Sequence, residues 1–168
     1  MLHDLGCPFN SPTVNLFFST EHFLKFVGNL REYLAVELQE VQSQEVSYPV
    51  GQLDDIVVHF MHYDTFSQAK EAWERRTQRV DLSNVYLVMT DKNGCTYEHI
   101  KQFDELPYKN KVIFTHREYK EFTSAYYIPG FEDQGEVGIL SDWKPQLLRR
   151  RWLDDFDYVS FFNQNIGK

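Results

Sequence analysis

Apolar residues recur along the chain in two spacings, one typical of strands and the other typical of helices. Nearly continuous apolar runs, as in strands covered on both faces, occupy residues 56–61, 85–89 and 112–114. Apolar residues three and four positions apart, the spacing of one helical face, occupy residues 23–34 and 66–79. A further helix is predicted from about Thr96 to Leu106, where Pro107 stops it. The middle of the chain therefore alternates strand and helix, and right-handed crossovers make such strands parallel.

The remaining elements are predicted from weaker patterns. β-rich or mixed runs predict short strands at residues 13–18, 38–41 and 126–128, with 38–41 at a sheet edge. Ser19 or Thr20 is expected to cap the first helix, and Thr65 with Gln68 has the spacing of a capping box. Turn-forming residues predict loops at residues 42–53 and 131–138. A terminal helix is predicted to include Leu153, Phe156, Val159 and Phe162.

These elements together predict a single α/β domain over residues 1–168. The expected architecture is three-layer and Rossmann-like, with a mostly parallel central sheet and flanking helices. The chain is 42% hydrophobic and 16% aromatic, so Phe and Tyr supply an unusual share of the core. Neither a metal nor a disulfide is needed to hold such a core.

Charge and cysteine content narrow the classes of partner and compartment. The formal net charge of −8 argues against nucleic acid, because such binders need clustered Lys and Arg to displace counterions from phosphates. The one basic run, residues 149–151, is interpreted as a solvated helix face. Cys7 and Cys95 lie far apart in a chain without an apolar leader, which favours free thiols and a cytoplasmic location. No apolar run approaches the roughly 20 residues that span a bilayer, so membrane insertion is not expected.

Polar residues and one turn glycine follow the predicted strands, at the sheet edge where ligands of open parallel sheets usually bind. They are Ser19, Thr20, His62, Tyr63, Asp91, Asn93, Gly94, Thr96, Thr115, His116 and Arg117. The turn from Asp91 to Thr96 leads into a helix whose first turn is expected to hold Cys95 and Thr96. Free amides there would attract a phosphate or a carboxylate. A capped turn without a ligand has the same sequence pattern, so both interpretations stay open.

The catalytic candidates among the strand-end residues and their neighbours are Asp91, Cys95, His62 and His116. Cys95 would be a nucleophile if the helix N-terminus lowers its pKa and an imidazole approaches it. The alternative is a small buried hydrophobe. His59, inside an apolar run, is interpreted as a hydrogen-bonded core residue. No metal site is predicted, because the acid groups at residues 54–55 and 154–157 resemble solvated helix starts, and the sequence names no cofactor.

Six motifs stand in a fixed order along the chain: residues 10–16 (NSPTVNL), 48–51 (YPVG), 59–63 (HFMHY), 73–76 (WERR), 89–96 (MTDKNGCT) and 106–112 (LPYKNKV). From about residue 3 to at least Gly138, they resemble the DUF1919 family of bacterial proteins, often labelled exopolysaccharide biosynthesis proteins. The resemblance implies an α/β domain, frequently encoded near capsule or exopolysaccharide genes, with no assigned biochemical activity. Members usually carry a further strand and an Asn-Cys turn upstream, so this chain is expected to be short at its N-terminus.

Two functions are compatible with these residues. The first is a sugar-transfer or sugar-modifying enzyme, glycosyltransferase-like or another transferase, in exopolysaccharide or capsule assembly. Its implied partners are a nucleotide sugar or glycan and other polysaccharide-biosynthesis proteins. The second is a non-catalytic module that binds a glycan, a nucleotide or a partner protein of the same pathway. The lack of a known catalytic signature and the high aromatic content favour that second hypothesis.

Overall fold

Two three-stranded sheets contain the named strands of the structure, a computed structural model that describes residues 1, 4–6, 10–145 and 150–163. The chain divides into two compact units, one formed by Pro8–Asn84 and the other by Met1–Cys7 with Val85–Lys168. The mixed α/β class predicted from the sequence is confirmed. The single domain and its three-layer arrangement stay predictions. Cys7, predicted to be a free thiol, lies outside the described residues.

The Pro8–Asn84 unit contains an antiparallel sheet. Its strands are β1 (Gln39–Val41), β2 (Val50–Leu53) and β3 (Ile56–His59), in that order across the sheet. The predicted edge strand near residues 38–41 is therefore confirmed as β1. Two predictions are corrected. Residues 50–53 form a strand rather than a loop, and β3, predicted among the parallel strands, pairs antiparallel with β2 in a register that sets Val50 opposite His59.

Gly51 explains why the sequence predicted a loop where β2 lies. A Cβ atom at this position would lie 2.7 Å from Leu38 Cδ1 and 3.1 Å from Phe60 Cε2. Glycine is therefore used for a close side-chain approach within the strand rather than for a turn. The strand predicted at residues 13–18 is also corrected. Only Phe17 pairs there, in an isolated bridge with His59, because the chain turns at Asn15 with φ of 58°.

The helices of this unit are α1 (Thr20–Gly28), α2 (Leu30–Ala35) and α3 (Phe66–Thr77). Residues 23–34 thus form two helices rather than the one predicted, since Asn29 leaves helical geometry at φ −128° and ψ 43°. The Gly28-Asn29 pair has low helix propensity, which accounts for the break. The predicted cap at Ser19 is present, since Ser19 accepts a hydrogen bond from the His22 N–H. Thr65 accepts one from the Gln68 N–H, which is one of the two bonds of the predicted capping box.

The other unit contains a parallel sheet. Its strands are β4 (Tyr86–Thr90), β5 (Asn110–Thr115) and β6 (Ala125–Tyr127), with β5 in the centre. Helix α4 (Tyr97–Glu105) connects β4 to β5. The parallel pairing predicted for residues 85–89 and 112–114 is confirmed, and Val88 stands opposite Val112. The weakly predicted strand at 126–128 is confirmed as β6, which is displaced by one residue.

The C-terminal part of this unit consists of a 3-10 helix (Trp152–Asp155) and helix α5 (Tyr158–Asn163). The single terminal helix predicted from the sequence is wrong, because Phe156 is extended at φ −86° and ψ 128° and ends the 3-10 helix. Its ring packs edge-on against Phe114 at 5.1 Å. The core of the unit is a cluster of buried apolar residues: Val112, Phe114, Ile128, Phe131, Val137, Leu153 and Phe161.

The basic run at residues 149–151 does not form a solvated helix face in its described part. Arg151 precedes the 3-10 helix, is partly buried and pairs with Asp154 at 2.7 Å and Asp4 at 2.9 Å. Arg149 lies outside the described residues. Among the helices of the described residues, none has the length and apolar character needed to cross a membrane.

Candidate functional site

Asp91 and His116 stand at the carboxyl ends of two neighbouring parallel strands. Asp91 directly follows β4, and its N–H donates to the Phe114 carbonyl of β5 at 3.0 Å, which extends the ladder by one residue. His116 directly follows Thr115, the last residue of β5. The sequence predicted that strand-end residues would converge at this edge, and the structure brings these two together.

A single carboxylate holds His116 and a later loop in place. Asp91 Oδ2 accepts the His116 backbone N–H at 2.7 Å and bonds to the His116 Nδ1 at 2.5 Å. Asp91 Oδ1 accepts the Val137 N–H at 2.8 Å. Asp91 is 3% exposed and His116 is 8% exposed, so water does not compete for these bonds.

This arrangement fixes the tautomer of the imidazole. An ionised carboxylate only accepts hydrogen bonds, so the ring proton lies on Nδ1 of His116. In the neutral ring, Nε2 then carries the lone pair that can accept a proton. A carboxylate that orients histidine in this manner also stabilises the imidazolium that proton transfer creates.

Cys95 lies beside this pair but is not an activated thiol. Burial, together with the negative charge of Asp91, raises the pKa of the Cys95 thiol to about 12. The expectation that Cys95 and Thr96 occupy the first turn of the helix is corrected, because Thr96 is the N-cap and α4 begins at Tyr97. Thr96 Oγ1 accepts the His99 N–H, while His99 Nδ1 accepts the Thr96 N–H, so the cap is reciprocal.

The turn between β4 and α4 already bonds a carboxylate of its own unit. Asn93 and Gly94 adopt positive φ angles of 58° and 76°, as their residue types predicted. The Asn93 N–H donates to Glu136 Oε2 at 2.9 Å, and the Cys95 N–H donates to the Lys92 carbonyl at 3.3 Å. The structure therefore favours the capped turn over an open anion site.

The loop after β5 contains the other predicted residues of this unit. The Thr115 hydroxyl is fully buried and donates to the Arg117 carbonyl at 2.7 Å, while the Arg117 residue itself is exposed. Glu132 accepts the Gly130 N–H at 3.0 Å and a hydrogen bond from the Tyr127 hydroxyl. The Tyr127 bond is the main cause that lowers the pKa of Glu132, and His116 adds to the effect.

Four predicted residues belong to the Pro8–Asn84 unit: Ser19, Thr20, His62 and Tyr63. Ser19 is the cap of α1, and Thr20 is buried in the first turn of that helix. His62 is exposed, and Tyr63 packs its ring edge-on against Phe60 at 5.9 Å.

His59 is corrected in one respect. Its ring is only partly buried, and its buried Nδ1 has no hydrogen-bond partner among the described residues. The ring is instead held by contacts with Phe17 at 5.8 Å and Tyr48 at 5.9 Å.

Three residues near the pair were missed from the sequence. Val137 and Glu136 lie in a loop. Val137 contacts Asp91 through its backbone N–H, and Glu136 accepts a hydrogen bond from Asn93, 43 residues earlier in the chain. No local sequence pattern indicates either contact. Tyr119 follows His116 by three positions, and burial, with the charge of Asp91, raises its pKa. Within the described residues, no group of three or more His, Cys, Asp or Glu side chains is placed to hold a metal ion.

A family model described as "Domain of unknown function (DUF1919)" matches residues 1–163. The chain belongs to the DUF1919 family. A protein of Haemophilus influenzae, described as an uncharacterized protein, is 49% identical over 166 residues, which cover 97% of this chain and 78% of that relative. The matched range of this DUF1919 protein includes Asp91, His116 and the loop that holds them.

Proposed function

We propose that this DUF1919 protein is a transferase that moves a group onto a sugar hydroxyl, with His116 as the general base. One observation carries the proposal: the buried Asp91 carboxylate holds the Nδ1 side of His116 and leaves Nε2 as the basic nitrogen. Such a pair serves reactions in which a hydroxyl must lose its proton as it attacks.

The reaction balances without a covalent enzyme intermediate. The acceptor hydroxyl donates to His116 Nε2, its oxygen bonds to the electrophilic carbon of the donor, and the bond from that carbon to the leaving group breaks. The proton passes to Nε2, and Asp91 stabilises the imidazolium. Direct transfer is favoured over attack by Cys95, because a thiol with a pKa of about 12 is almost wholly protonated at neutral pH.

The donor is a nucleotide sugar, and the product enters exopolysaccharide or capsule assembly together with other proteins of that pathway. The protein works in the cytoplasm, where such donors are made. Its strands complete a three-layer, Rossmann-like arrangement, for which the parallel sheet of β4, β5 and β6 is the support.

A non-catalytic binding module is the second candidate. It is favoured by an exposed aromatic side chain near the pair, because Tyr97 is 47% exposed although it is large and apolar. A module of this kind would bind a glycan, a nucleotide or a partner enzyme and would need no base.

The variant His116→Asn separates the two candidates. The asparagine amide can still donate to Asp91 from the position of Nδ1, but it has no basic nitrogen at the position of Nε2. Purified protein is incubated with nucleotide sugars and neutral hexosides, and products are detected by mass spectrometry. We expect transfer by the native chain and a loss of at least about 100-fold in His116→Asn.

The exposed Asp133→Asn serves as the control and should leave transfer unchanged. Folding of each variant is checked by its thermal midpoint. If no donor gives transfer, yet a ligand raises the midpoint equally in the native chain and in His116→Asn, the binding module replaces the transferase.

A further inference from the structure

Three aromatic rings connect the two loops that carry the Asp91–His116 pair. Tyr97, the first residue of α4, contacts Tyr119 at a centroid distance of 6.0 Å and Phe122 at 5.1 Å. Tyr119 and Phe122 contact each other at 6.1 Å. The first ring follows Cys95 by two residues, and the other two follow His116 by three and six residues. The cluster therefore lies next to the site in the chain on both sides.

One ring of the cluster, Tyr97, is exposed to water, and the other two contact it on the inner side. Tyr119 and Phe122 are partly buried, whereas Tyr97 is 47% exposed. Contacts among aromatic rings favour tilted and edge-on arrangements, and the angles of 54° and 50° at Tyr97 are of this kind. Tyr97 thus presents an aromatic surface that two further rings contact on its inner side.

Two carboxylates, Glu98 and Glu121, lie near the Tyr97 ring. Loss of water contact raises the pKa of the Tyr97 phenol. The Glu121 carboxylate raises it further through its charge and a hydrogen bond with that phenol, and the charge of Glu98 adds to the effect. On the inner side, Asp91 contributes in the same way to the raised pKa of Tyr119. The Arg117 guanidinium opposes this effect at Tyr119, so the charge that disfavours an anion is that of Glu98 and Glu121 beside the exposed Tyr97 ring. This surface suits a neutral ligand that offers C–H groups to the ring and hydroxyl donors to the carboxylates.

We propose that Tyr97, supported by Tyr119 and Phe122, forms an aromatic subsite for a neutral pyranose unit of the acceptor. The apolar face of the sugar lies on the Tyr97 ring, and its hydroxyls donate to Glu98 and Glu121. The inference rests on the proposed function for its meaning, since it names the neutral sugar whose hydroxyl His116 would deprotonate. The negatively charged part of the donor is excluded from this subsite.

Saturation-transfer NMR tests the subsite without any need for turnover. The probes are the methyl glycosides of glucose, galactose and mannose, with inorganic phosphate as an anionic competitor. We expect saturation of the ring C–H protons of at least one glycoside with the native chain and with His116→Asn. Phosphate should not displace the glycoside. Tyr97→Ala should lower the affinity at least tenfold, and Tyr97→Trp should keep it.

Trp143→Ala is the matched control, because Trp143 is 63% exposed in the same unit and has no place in the cluster. The variant Tyr97→Leu also removes the aromatic ring, and its thermal midpoint is measured. An unchanged midpoint shows that a lost binding signal is not caused by unfolding. The subsite is overturned if no neutral glycoside is saturated, or if Tyr97→Ala binds as the native chain does. Glycoside binding without any transfer would remove the transferase and leave the subsite intact. Transfer that depends on His116 but not on Tyr97 would support the transferase and overturn the subsite.

Discussion

One carboxylate oxygen of Asp91 bonds to both the backbone N–H and the ring Nδ1 of His116, 25 residues later in the chain. The second oxygen of the same carboxylate holds the Val137 N–H. The loop of β4, the loop of β5 and the segment around Val137 are therefore fixed by one buried side chain. Changes at Asp91 should affect stability as well as any chemistry at His116.

Asp91→Asn should lower the free energy of unfolding by about 2–3 kcal/mol, because an amide presents its NH2 group to a buried donor. Urea denaturation followed by circular dichroism measures the change. Asp133→Asn makes the same chemical substitution at an exposed carboxylate and should change the free energy by less than about 0.5 kcal/mol. Equal effects from the two variants would contradict the importance of the buried carboxylate.

The Cys95 thiol should be unreactive at neutral pH, since only the thiolate attacks alkylating reagents. In a Cys7→Ser background, the rate of reaction with iodoacetamide should rise about tenfold per pH unit from pH 7 to pH 10 without levelling off. This behaviour follows from the pKa of about 12. The added substitution Asp91→Asn should increase the rate, because one of the two causes of the raised pKa is removed. A plateau near pH 9 would show an ordinary thiol.

Stability of the Pro8–Asn84 unit should depend on pH through Tyr33 and Asp55. The Tyr33 hydroxyl donates to Asp55 at 2.5 Å, a bond that lowers the pKa of the Asp55 carboxyl and raises that of Tyr33 to about 12. The Asp55 contribution is present above its unfolded pKa and is lost as the pH falls through the folded value. The Tyr33 contribution is present below about pH 10 and is lost as the pH rises towards 12.

Thermal midpoints measured from pH 2 to pH 12 test both limits. Asp55→Asn should flatten the decline at each end. The neighbouring Asp54→Asn provides the control, since Asp54 has a positive φ of 54° that asparagine also tolerates. If the two variants have identical pH profiles, the bond between Tyr33 and Asp55 does not contribute.

Gly138→Ala should destabilise the unit of the parallel sheet by about 1–3 kcal/mol through overpacking. A Cβ atom at Gly138 would overlap Cε1 of the buried Phe131. The variant Phe131→Leu removes that ring, so the double variant should lose less stability than the sum of the single variants. Urea denaturation of all four proteins gives the coupling. Strict additivity would locate the strain elsewhere.

The sequence predicted those elements whose pattern is local. The apolar run at 85–89 specifies β4, and Thr96 specifies the start of α4 through its hydroxyl. It failed where a residue serves a distant contact. Gly51 indicated a loop because the sequence does not show that Leu38 and Phe60 fill the space of its missing side chain. Phe156 continued a helical pattern, but its ring packs on Phe114 from an extended backbone.

The residues of the candidate site could be predicted individually, but their contacts with one another could not. Position after a buried strand identified both Asp91 and His116, because parallel strands end at one edge. Their bond depends on the exact register of β4 and β5, which sets Thr90 opposite Phe114. The proposed aromatic subsite was not predicted, because aromatic residues are usually core. Tyr97 is distinguished by exposure together with its ring contacts to Tyr119 and Phe122, which the sequence does not show.

The bond from the Val137 N–H to Asp91 spans 46 residues, nearly twice the separation of Asp91 from His116. The strands β4 and β5 are synthesised before this loop. The nascent chain therefore holds an acid and an imidazole whose third support has not yet been made. Such long-range closure comes late in folding, since its loop entropy must be overcome first. The support of the His116 ring by Asp91 is therefore complete only after the chain has folded back from Val137.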